Sequence, residues 1–300
     1  MNRRDFFATA AAAGAGLAAA STARNVLAFS IPDPAQPGIL RLASQEDLVP
    51  GKDLKEKLAN LEKFGFDGVE FGGGGTPGRV KEIQDALKGS KIRPSAICAG
   101  FRGIIISEKE ETRREAVASM KEILTAGGEF GSTGLIIVPA FHGQTKLGHQ
   151  ESRKILVDLL KELGEHAVTA KCPILLEPLN RGECYFLRQV ADAAAICRDV
   201  GSPGVCLMGD FWHMTIEETS DMGAFISAGK YLKHVHIASR KQRQIPGTDA
   251  GDTYVDGFRG LKAIGYQDFV SFECGFKDGE EPTVALPKAA RFLRQEWGKA

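Results

Sequence analysis

The sequence predicts a single-domain α/β protein built as a (β/α)8 barrel. Eight short apolar runs, rich in β-branched and aliphatic residues, alternate with longer stretches of helical period. Strands that are apolar throughout and separated by helices indicate βα units around a parallel sheet. Eight such units in about 260 residues match the usual size of a (β/α)8 barrel.

The strands and helices follow from these patterns in order along the chain. The predicted strands cover residues 38–44, 67–72, 91–98, 134–140, 173–178, 204–210, 231–238 and 268–274. The predicted helices cover residues 53–64, 108–126, 151–170, 187–200 and 282–297. The first helix has apolar residues three and four positions apart, and Gly65 is suited to end it in a left-handed conformation.

An open, doubly wound sheet is the structural alternative. That fold usually carries a GxGxxG fingerprint after its first strand. The glycine cluster here, Gly72-Gly73-Gly74-Gly75, follows the second strand and lacks this form. We interpret it as a flexible βα loop rather than a phosphate-binding loop, which leaves the barrel as the predicted fold.

The N-terminus has the composition of a signal peptide over residues 1–28. Arg3 and Arg4 are followed by Phe6-Phe7 and an Ala/Gly stretch, and small residues offer cleavage after Ala23 or Ala28. Residues 2–7 resemble the twin-arginine export motif, which predicts an exported, periplasmic protein. The apolar part is too short and too weakly hydrophobic for a stable membrane span. Residues 29–37 form a Pro-rich linker, and 38–300 the barrel; an unstructured Ala-rich tail is the alternative for the N-terminus.

The charge balance argues against a nucleic-acid partner. The chain has 38 basic and 38 acidic residues and no Lys/Arg-rich block, whereas nucleic-acid binding requires a basic surface. A neutral small molecule is the more natural ligand. The six cysteines show no paired or zinc-finger spacing, so we predict structural thiols.

Four ionisable residues stand at the ends of consecutive strands. Glu177 follows the fifth strand, Asp210 the sixth, His236 lies in the seventh, and Glu273 ends the eighth. The C-terminal ends of barrel strands converge on one mouth, so we expect these side chains to meet there. Three carboxylates and one imidazole suit a divalent ion such as Mn²⁺, Mg²⁺ or Co²⁺. Each residue alone has a structural explanation, but four at successive strand ends favour a metal site.

The motifs around these residues resemble the xylose isomerase-like sugar isomerase/epimerase superfamily, with ketose 3-epimerases and hydroxypyruvate isomerases as the nearest patterns. They are Leu176-Glu177-Pro178-Leu179-Asn180-Arg181 with Glu183, Asp210-Phe211-Trp212-His213-Met214, His234-Val235-His236-Ile237-Ala238 with a following Pro246-Gly247, and Ser271-Phe272-Glu273. The resemblance covers essentially the whole chain after the signal peptide. It is specific to the superfamily but not to a substrate.

The resemblance implies roles for individual residues. Glu177, Asp210, His236 and Glu273 would bind one divalent metal, with Mn²⁺ expected and Mg²⁺, Co²⁺ or Zn²⁺ as alternatives. Glu177 and Glu273 would also transfer protons. The substrate contacts implied are Glu183, His213 and Arg243, with Arg240 as the alternative to Arg243. Related barrels often form homodimers or homotetramers, which we expect here as well.

The expected activity is that of a metal-dependent sugar isomerase or epimerase. A C–H next to a carbonyl is a very weak acid, so a metal-stabilised enediolate and a carboxylate base are needed. Proton return to the opposite face gives epimerisation, and transfer to the next carbon gives isomerisation. An exported protein with no phosphate-binding loop points to an unphosphorylated keto-sugar. The alternatives are a lyase or hydrolase that cleaves a keto-glycoside by the same proton abstraction, and a non-catalytic sugar-binding barrel.

The sequence also supports interpretations of other residues near the mouth. We interpret His234 as facing the helix layer, opposite to His236, and Glu70 as a polar rim residue or one that orients a neighbour. Trp212 and Phe211 line the sugar pocket or pack the core. His142, after the fourth strand, is a loop residue or a further substrate contact.

Overall fold

The computed structural model describes residues 36–300 as a closed barrel of parallel strands. The predicted signal peptide, and the predicted linker up to residue 35, lie outside the described residues. Each strand pairs in parallel with the next one in the chain, and the first pairs with the last. The strands are β1 (Arg41–Gln45), β2 (Gly68–Gly72), β3 (Arg93–Cys98), β4 (Gly134–Ile137), β5 (Ile174–Leu176), β6 (Val205–Asp210), β7 (Leu232–Ile237) and β8 (Phe269–Phe272). The predicted (β/α)8 fold is confirmed.

Helices alternate with the strands and surround the barrel. They are α1 (Leu54–Phe64), α2 (Thr76–Leu87), α3 (Glu110–Phe130), α4 (His149–Ala170), α5 (Val190–Val200), α6 (Phe211–Glu217), α7 (Asp221–Ala228), α8 (Val255–Ala263) and α9 (Pro282–Lys299). Short 3₁₀ turns occupy Glu46–Leu48 and Gly229–Tyr231. Among residues 36–300, none of these helices combines the length and the apolar character needed to cross a bilayer.

The first helix shows how local sequence sets the elements. The side chain of Asp53 caps the N-terminus of α1 by accepting a hydrogen bond from the Glu56 N–H, and Gly65 ends the helix with φ 86°. The apolar face of α1 is buried against the barrel, as its spacing predicts. Four helices, α2, α6, α7 and α8, were not predicted. The start of α2 is hard to recognise in the sequence, because the Pro77 and Gly78 of its first turn are residues that are also typical of loops.

Alternate strand residues point into the barrel, where they form a separate buried cluster. It consists of Ala96, Ile136, Leu175, Cys206 and Met208, from strands β3 to β6. Because side chains alternate along a strand, the same faces continue to Cys98, Glu177 and Asp210 at the strand ends. The polar side chains at the C-terminal ends of the strands therefore lie directly above a layer of buried apolar side chains inside the barrel. The six cysteines lie within residues 36–300 and are free thiols, as predicted.

The glycine cluster after β2 allows two loops to approach closely. A Cβ atom on Gly73 would lie 1.7 Å from the carbonyl oxygen of Ala99, in the loop after β3. A side chain cannot fit there without moving backbone. The cluster is a βα loop, as predicted, and backbone packing accounts for Gly73 without a phosphate ligand.

Candidate active site

The four predicted metal ligands meet at the C-terminal mouth of the barrel. One ligand atom from each of Glu177, Asp210, His236 and Glu273 lies within 4.8 Å of the others. Asp210 and His236 are fully buried, Glu177 is buried, and Glu273 is half-buried. Glu177 and Glu273 are the first residues beyond β5 and β8, where the backbone leaves the sheet and both carboxylates turn toward the axis.

This group fits a divalent cation. His236 Nδ1 lies 3.1 Å from Glu273 Oε2 and 3.7 Å from Glu177 Oε1, yet it forms no hydrogen bond with any residue between 36 and 300. A buried nitrogen without a hydrogen bond, facing three carboxylates, is costly unless a cation or a proton lies between them. Oxygen-rich donors with one imidazole suit divalent ions of intermediate hardness. The residues present can therefore hold the metal that the sequence predicts.

The carboxylates differ in how readily they hold a proton. Burial raises the pKa of Glu177 to about 7, with the charge of Glu273 adding to the shift. Burial also raises the pKa of Asp210 to about 6, again with a contribution from Glu273. Burial alone would raise the pKa of Glu273 as well, but the attraction of His236 and Arg243 outweighs it and holds that pKa well below its ordinary value. Glu177 is thus the easier carboxylate to protonate, and Glu273 stays ionised.

Arg243, which was predicted as a substrate contact, lies against the carboxylates of the candidate metal site. Its Nη2 atom donates to Glu273 Oε2 at 2.5 Å and to Asp210 Oδ2 at 3.3 Å, and its guanidinium carbon lies 4.5 Å from the centre of the Trp212 ring. Its backbone has φ 52°, a strained conformation for a residue other than glycine. The alternative, Arg240, binds Asp221, the Phe211 carbonyl and Thr215 instead.

His213 and Glu183 form the opposite wall. His213 Nδ1 accepts hydrogen bonds from the backbone N–H of Asn180 at 3.2 Å and from Asn180 Nδ2 at 2.8 Å, and Asn180 Nδ2 also donates to Glu183 Oε1 at 3.0 Å. Burial and the charge of Arg243 lower the pKa of His213 to about 4, so the ring is neutral at pH 7. With Nδ1 accepting, the proton is on Nε2, which has no hydrogen-bond partner in residues 36–300 and lies 3.5 Å from Asp210 Oδ2. It is a donor available to a ligand.

The sequence assignment of His234 to the helix layer is wrong. Residues two apart in a strand point to the same side, so His234 faces the barrel interior together with His236. Both rings contact Glu70, which is fully buried and is therefore not a rim residue. The alternative interpretation, that Glu70 orients a neighbour, agrees with these contacts.

Three further side chains near the centre were not predicted from sequence. Gln45, at the end of β1, donates through Nε2 to Glu70 Oε1 at 3.0 Å and to Glu273 Oε1 at 3.3 Å. Cys98 Sγ lies 3.8 Å from Glu273 Oε1. Asn180, identified from sequence only as part of the motif after Glu177, connects His213 to Glu183. Gln45 and Cys98 could have been found from their positions, since each is the last residue of a strand and its side chain faces the barrel interior.

The structure also places the remaining candidates. Phe211 is fully buried and packs edge to face against Phe225 and Tyr254, so it belongs to the core, whereas Trp212 supports Arg243. His142 is exposed, and its Nε2 atom lies 3.0 Å from the carbonyl oxygen of Arg181. This contact joins the loops after β4 and β5.

Two cavities differ in their relation to this site. One of about 370 Å³ opens beside Glu70 and Cys98 at the strand ends and is lined by polar side chains such as Gln45 and Lys57. A larger one, about 630 Å³, lies at the opposite face around Arg41 and Arg93, the residues that begin β1 and β3. Barrel enzymes use the C-terminal face, so the smaller cavity is the one that belongs to the site.

Comparison with known proteins agrees with the fold. A family described as xylose isomerase-like TIM barrel matches residues 58–296. The chain is 30% identical over 264 residues to the 3-dehydro-D-guloside 4-epimerase of Escherichia coli (strain K12), covering 85% of this chain and 99% of the relative. It is 31% identical over 230 residues to the L-ribulose 3-epimerase of Mesorhizobium japonicum, covering 74% and 75%. The crystal structure of apo 3-keto-D-glucoside 4-epimerase from E. coli superposes with a TM-score of 0.79 at 28% identity, covering 86% of this chain and 100% of that structure.

Proposed function

Because the chain belongs to the xylose isomerase-like TIM barrel family, we propose that it is a divalent-metal-dependent epimerase acting on an unphosphorylated keto-sugar. It would invert a carbon next to the ketone by removing a proton from one face and returning one to the other. The observation that carries the proposal is the pair of carboxylates, Glu177 and Glu273, facing one point with unequal proton affinities.

The two carboxylates divide the proton transfer between them. Glu273, held ionised by Arg243 and His236, is suited to accept the carbon-bound proton. Glu177, whose pKa burial raises above that of Glu273, is the more basic carboxylate and is suited to hold and return a proton. Paired titratable groups whose environments separate their pKa values are typical of acid–base catalysis. The reverse epimerisation exchanges the two roles.

The metal would be held by Glu177, Asp210, His236 and Glu273. When bound, it would polarise the ketone and stabilise the negative charge that develops on its oxygen. The protein itself would orient the sugar through the polar side chains that surround the metal. His213 offers its Nε2–H to a ligand oxygen, Glu183 accepts from hydroxyl groups, and Arg243 supplies a fixed positive charge.

The relatives support the substrate class. Both named relatives are epimerases, one of a 3-dehydro-hexoside at C4 and one of a ketose at C3. In each reaction the configuration of a carbon next to a carbonyl is inverted. Two carboxylates that transfer protons, such as Glu177 and Glu273, are suited to a reaction of this kind. The relative that matches over nearly its whole length acts on a glycoside, so a keto-glycoside is the first substrate to test here.

Three finer assignments complete the proposal. The metal is Mn²⁺, on the basis of the three carboxylates and one imidazole in the site. The protein works in the periplasm, on the basis of the twin-arginine-like segment at residues 2–7. It acts as a homodimer or homotetramer, as related barrels often do. Size-exclusion chromatography with light scattering tests the last assignment, and fractionation of expressing cells tests the second.

Product analysis tests the activity. The purified protein, loaded with Mn²⁺, is incubated with 3-keto-glucosides and with free ketoses, and the products are identified by NMR. We expect an epimer of unchanged mass and loss of turnover after chelation by EDTA. Release of a free aglycone would identify a lyase or hydrolase instead, and binding without any product would indicate a sugar-binding protein.

A further inference from the structure

A buried polar cluster lies directly beneath the candidate metal centre. Glu70, His234 and His236 are all fully buried. Glu70 Oε2 lies 2.8 Å from His234 Nε2, and both Glu70 oxygens lie 3.0 Å from His236 Nε2. The proton-transfer chemistry proposed above uses His236 only as a metal ligand, and it assigns no task to Glu70 or His234.

We propose that Glu70 is a positioning residue: it holds the imidazole of His236 so that Nδ1 faces the three carboxylates, and in this way sets the affinity for the divalent metal. The proposal rests on the metal centre of the proposed function. An ionised carboxylate only accepts hydrogen bonds, so the Nε2 atom of each histidine must carry a proton and donate it. A neutral His236 ring then has its lone pair on Nδ1, the atom that faces Glu177 and Glu273. Carboxylates that fix metal-binding histidines in this way typically strengthen metal binding.

The carboxylate of Glu70 is itself held in place. It receives N–H groups from His234, His236 and Gln45, three donors on strands β7 and β1. Both oxygens of this buried carboxylate accept from N–H donors, the arrangement that suits an ionised acceptor. Gln45 also donates to Glu273, which connects Glu70 to a second metal ligand. Rotation of the His236 ring would break a contact in this network.

A second metal ion within the cluster is the competing interpretation. Glu70, His234 and His236 do present ligand atoms within 4.8 Å of one another. Their separations of 2.8 and 3.0 Å, however, are those of direct hydrogen bonds between N–H donors and a carboxylate. An ion bound by the same atoms would need both Nε2 atoms unprotonated. His236, whose Nδ1 faces Glu177 and Glu273, would then have to bind ions through both ring nitrogens as an imidazolate. We therefore expect one metal ion per chain.

The test compares two isosteric variants, Glu70→Gln and His234→Gln, by titrating the metal-free proteins with Mn²⁺ alone. In Glu70→Gln the amide NH₂ group faces two N–H donors, so a histidine must turn or change its protonated nitrogen. We expect metal affinity to fall about 10- to 100-fold. His234→Gln is the matched control, because it disturbs the same buried cluster yet retains an N–H for Glu70. We expect its affinity to stay close to that of the wild type, at one ion per chain.

Each possible result of this comparison either supports or overturns the role of Glu70. Wild-type affinity in Glu70→Gln, equal losses in the two variants, or two ions per wild-type chain would overturn the proposal. A wild-type protein that binds no divalent ion would instead refute the metal centre, and with it the proposed function. If Glu70→Gln does not fold, wild-type protein labelled with ¹⁵N-histidine and loaded with Mg²⁺ decides by NMR. A ring proton of His236 on Nε2 supports the proposal, and one on Nδ1 overturns it.

Discussion

Replacing Glu273 by Gln is the perturbation that most directly separates proton transfer from metal binding. Glu273 accepts hydrogen bonds from Arg243 and Gln45, and its carboxylate faces His236. An amide keeps the size of the side chain but cannot take a proton from carbon. Loss of a positioned base usually costs about 10²- to 10⁴-fold in rate. Arg243 keeps Asp210 as a partner at 3.3 Å, so the mouth of the barrel is expected to retain its shape.

The assay is the exchange of substrate hydrogen with D₂O at saturating Mn²⁺, followed by NMR. Three of the four metal ligands remain in Glu273→Gln, so a higher metal concentration restores occupancy and isolates the loss of the base. The matched control is Glu217→Gln, the same change at a buried glutamate near the same mouth. Glu217 accepts from the backbone N–H and Nε of Arg181 at 2.6 and 2.8 Å. We expect the control to lose about 1–3 kcal/mol of unfolding free energy but to keep its exchange rate. Wild-type exchange in metal-loaded Glu273→Gln would refute the assignment of the base.

Three further predictions address the metal and the arginines. The affinity for Mn²⁺ should rise with pH between about 6 and 7, because the ion competes with the protons on Glu177 and Asp210, whose pKa values are raised to about 7 and about 6. Calorimetry in two buffers with different ionisation enthalpies should show protons released on binding, and a flat pH profile would contradict the shifts. Adding Mn²⁺ should raise the melting temperature of the wild type by several degrees but that of Asp210→Asn much less, as binding to the folded state stabilises it; equal shifts would place the metal elsewhere. Arg243→Lys should lower kcat/KM by about tenfold or more, because the guanidinium that bridges Asp210 and Glu273 and stacks on Trp212 is lost. Arg240→Lys should instead lower the melting temperature and leave kcat/KM nearly unchanged, and the opposite pattern would favour Arg240 as the substrate contact.

The barrel was predictable from sequence because its strands and longer helices carry strong periodic signals. The predicted and observed strands agree to within a few residues at each end; β5, for example, is predicted at 173–178 and observed at Ile174–Leu176. The short helices were missed for identifiable reasons. The helix α6 begins immediately after the strand residue Asp210 and spans only seven residues, too few for a helical period to stand out.

The candidate metal ligands were predictable because each lies within one residue of the end of a strand, and the parallel topology brings strand ends together. The contacts between them were not predictable, since they depend on the register between strands distant in sequence. Glu70 and His236 are 166 positions apart, and Gln45 and Glu273 are 228 apart. The misassignment of His234 had a different origin. The alternation of side chains along a strand already placed it on the same face as His236.

The most direct test of the account is the position at which solvent deuterium enters a keto-sugar. Wild-type protein loaded with Mn²⁺ is incubated in D₂O with a 3-keto-glucoside, and the recovered sugars are examined by NMR and mass spectrometry. We predict one deuterium at the carbon next to the ketone, in an epimer that keeps its aglycone. Deuterium-free sugar recovered after complete epimerisation, or no reaction with any keto-sugar at full metal occupancy, would contradict proton exchange through Glu177 and Glu273.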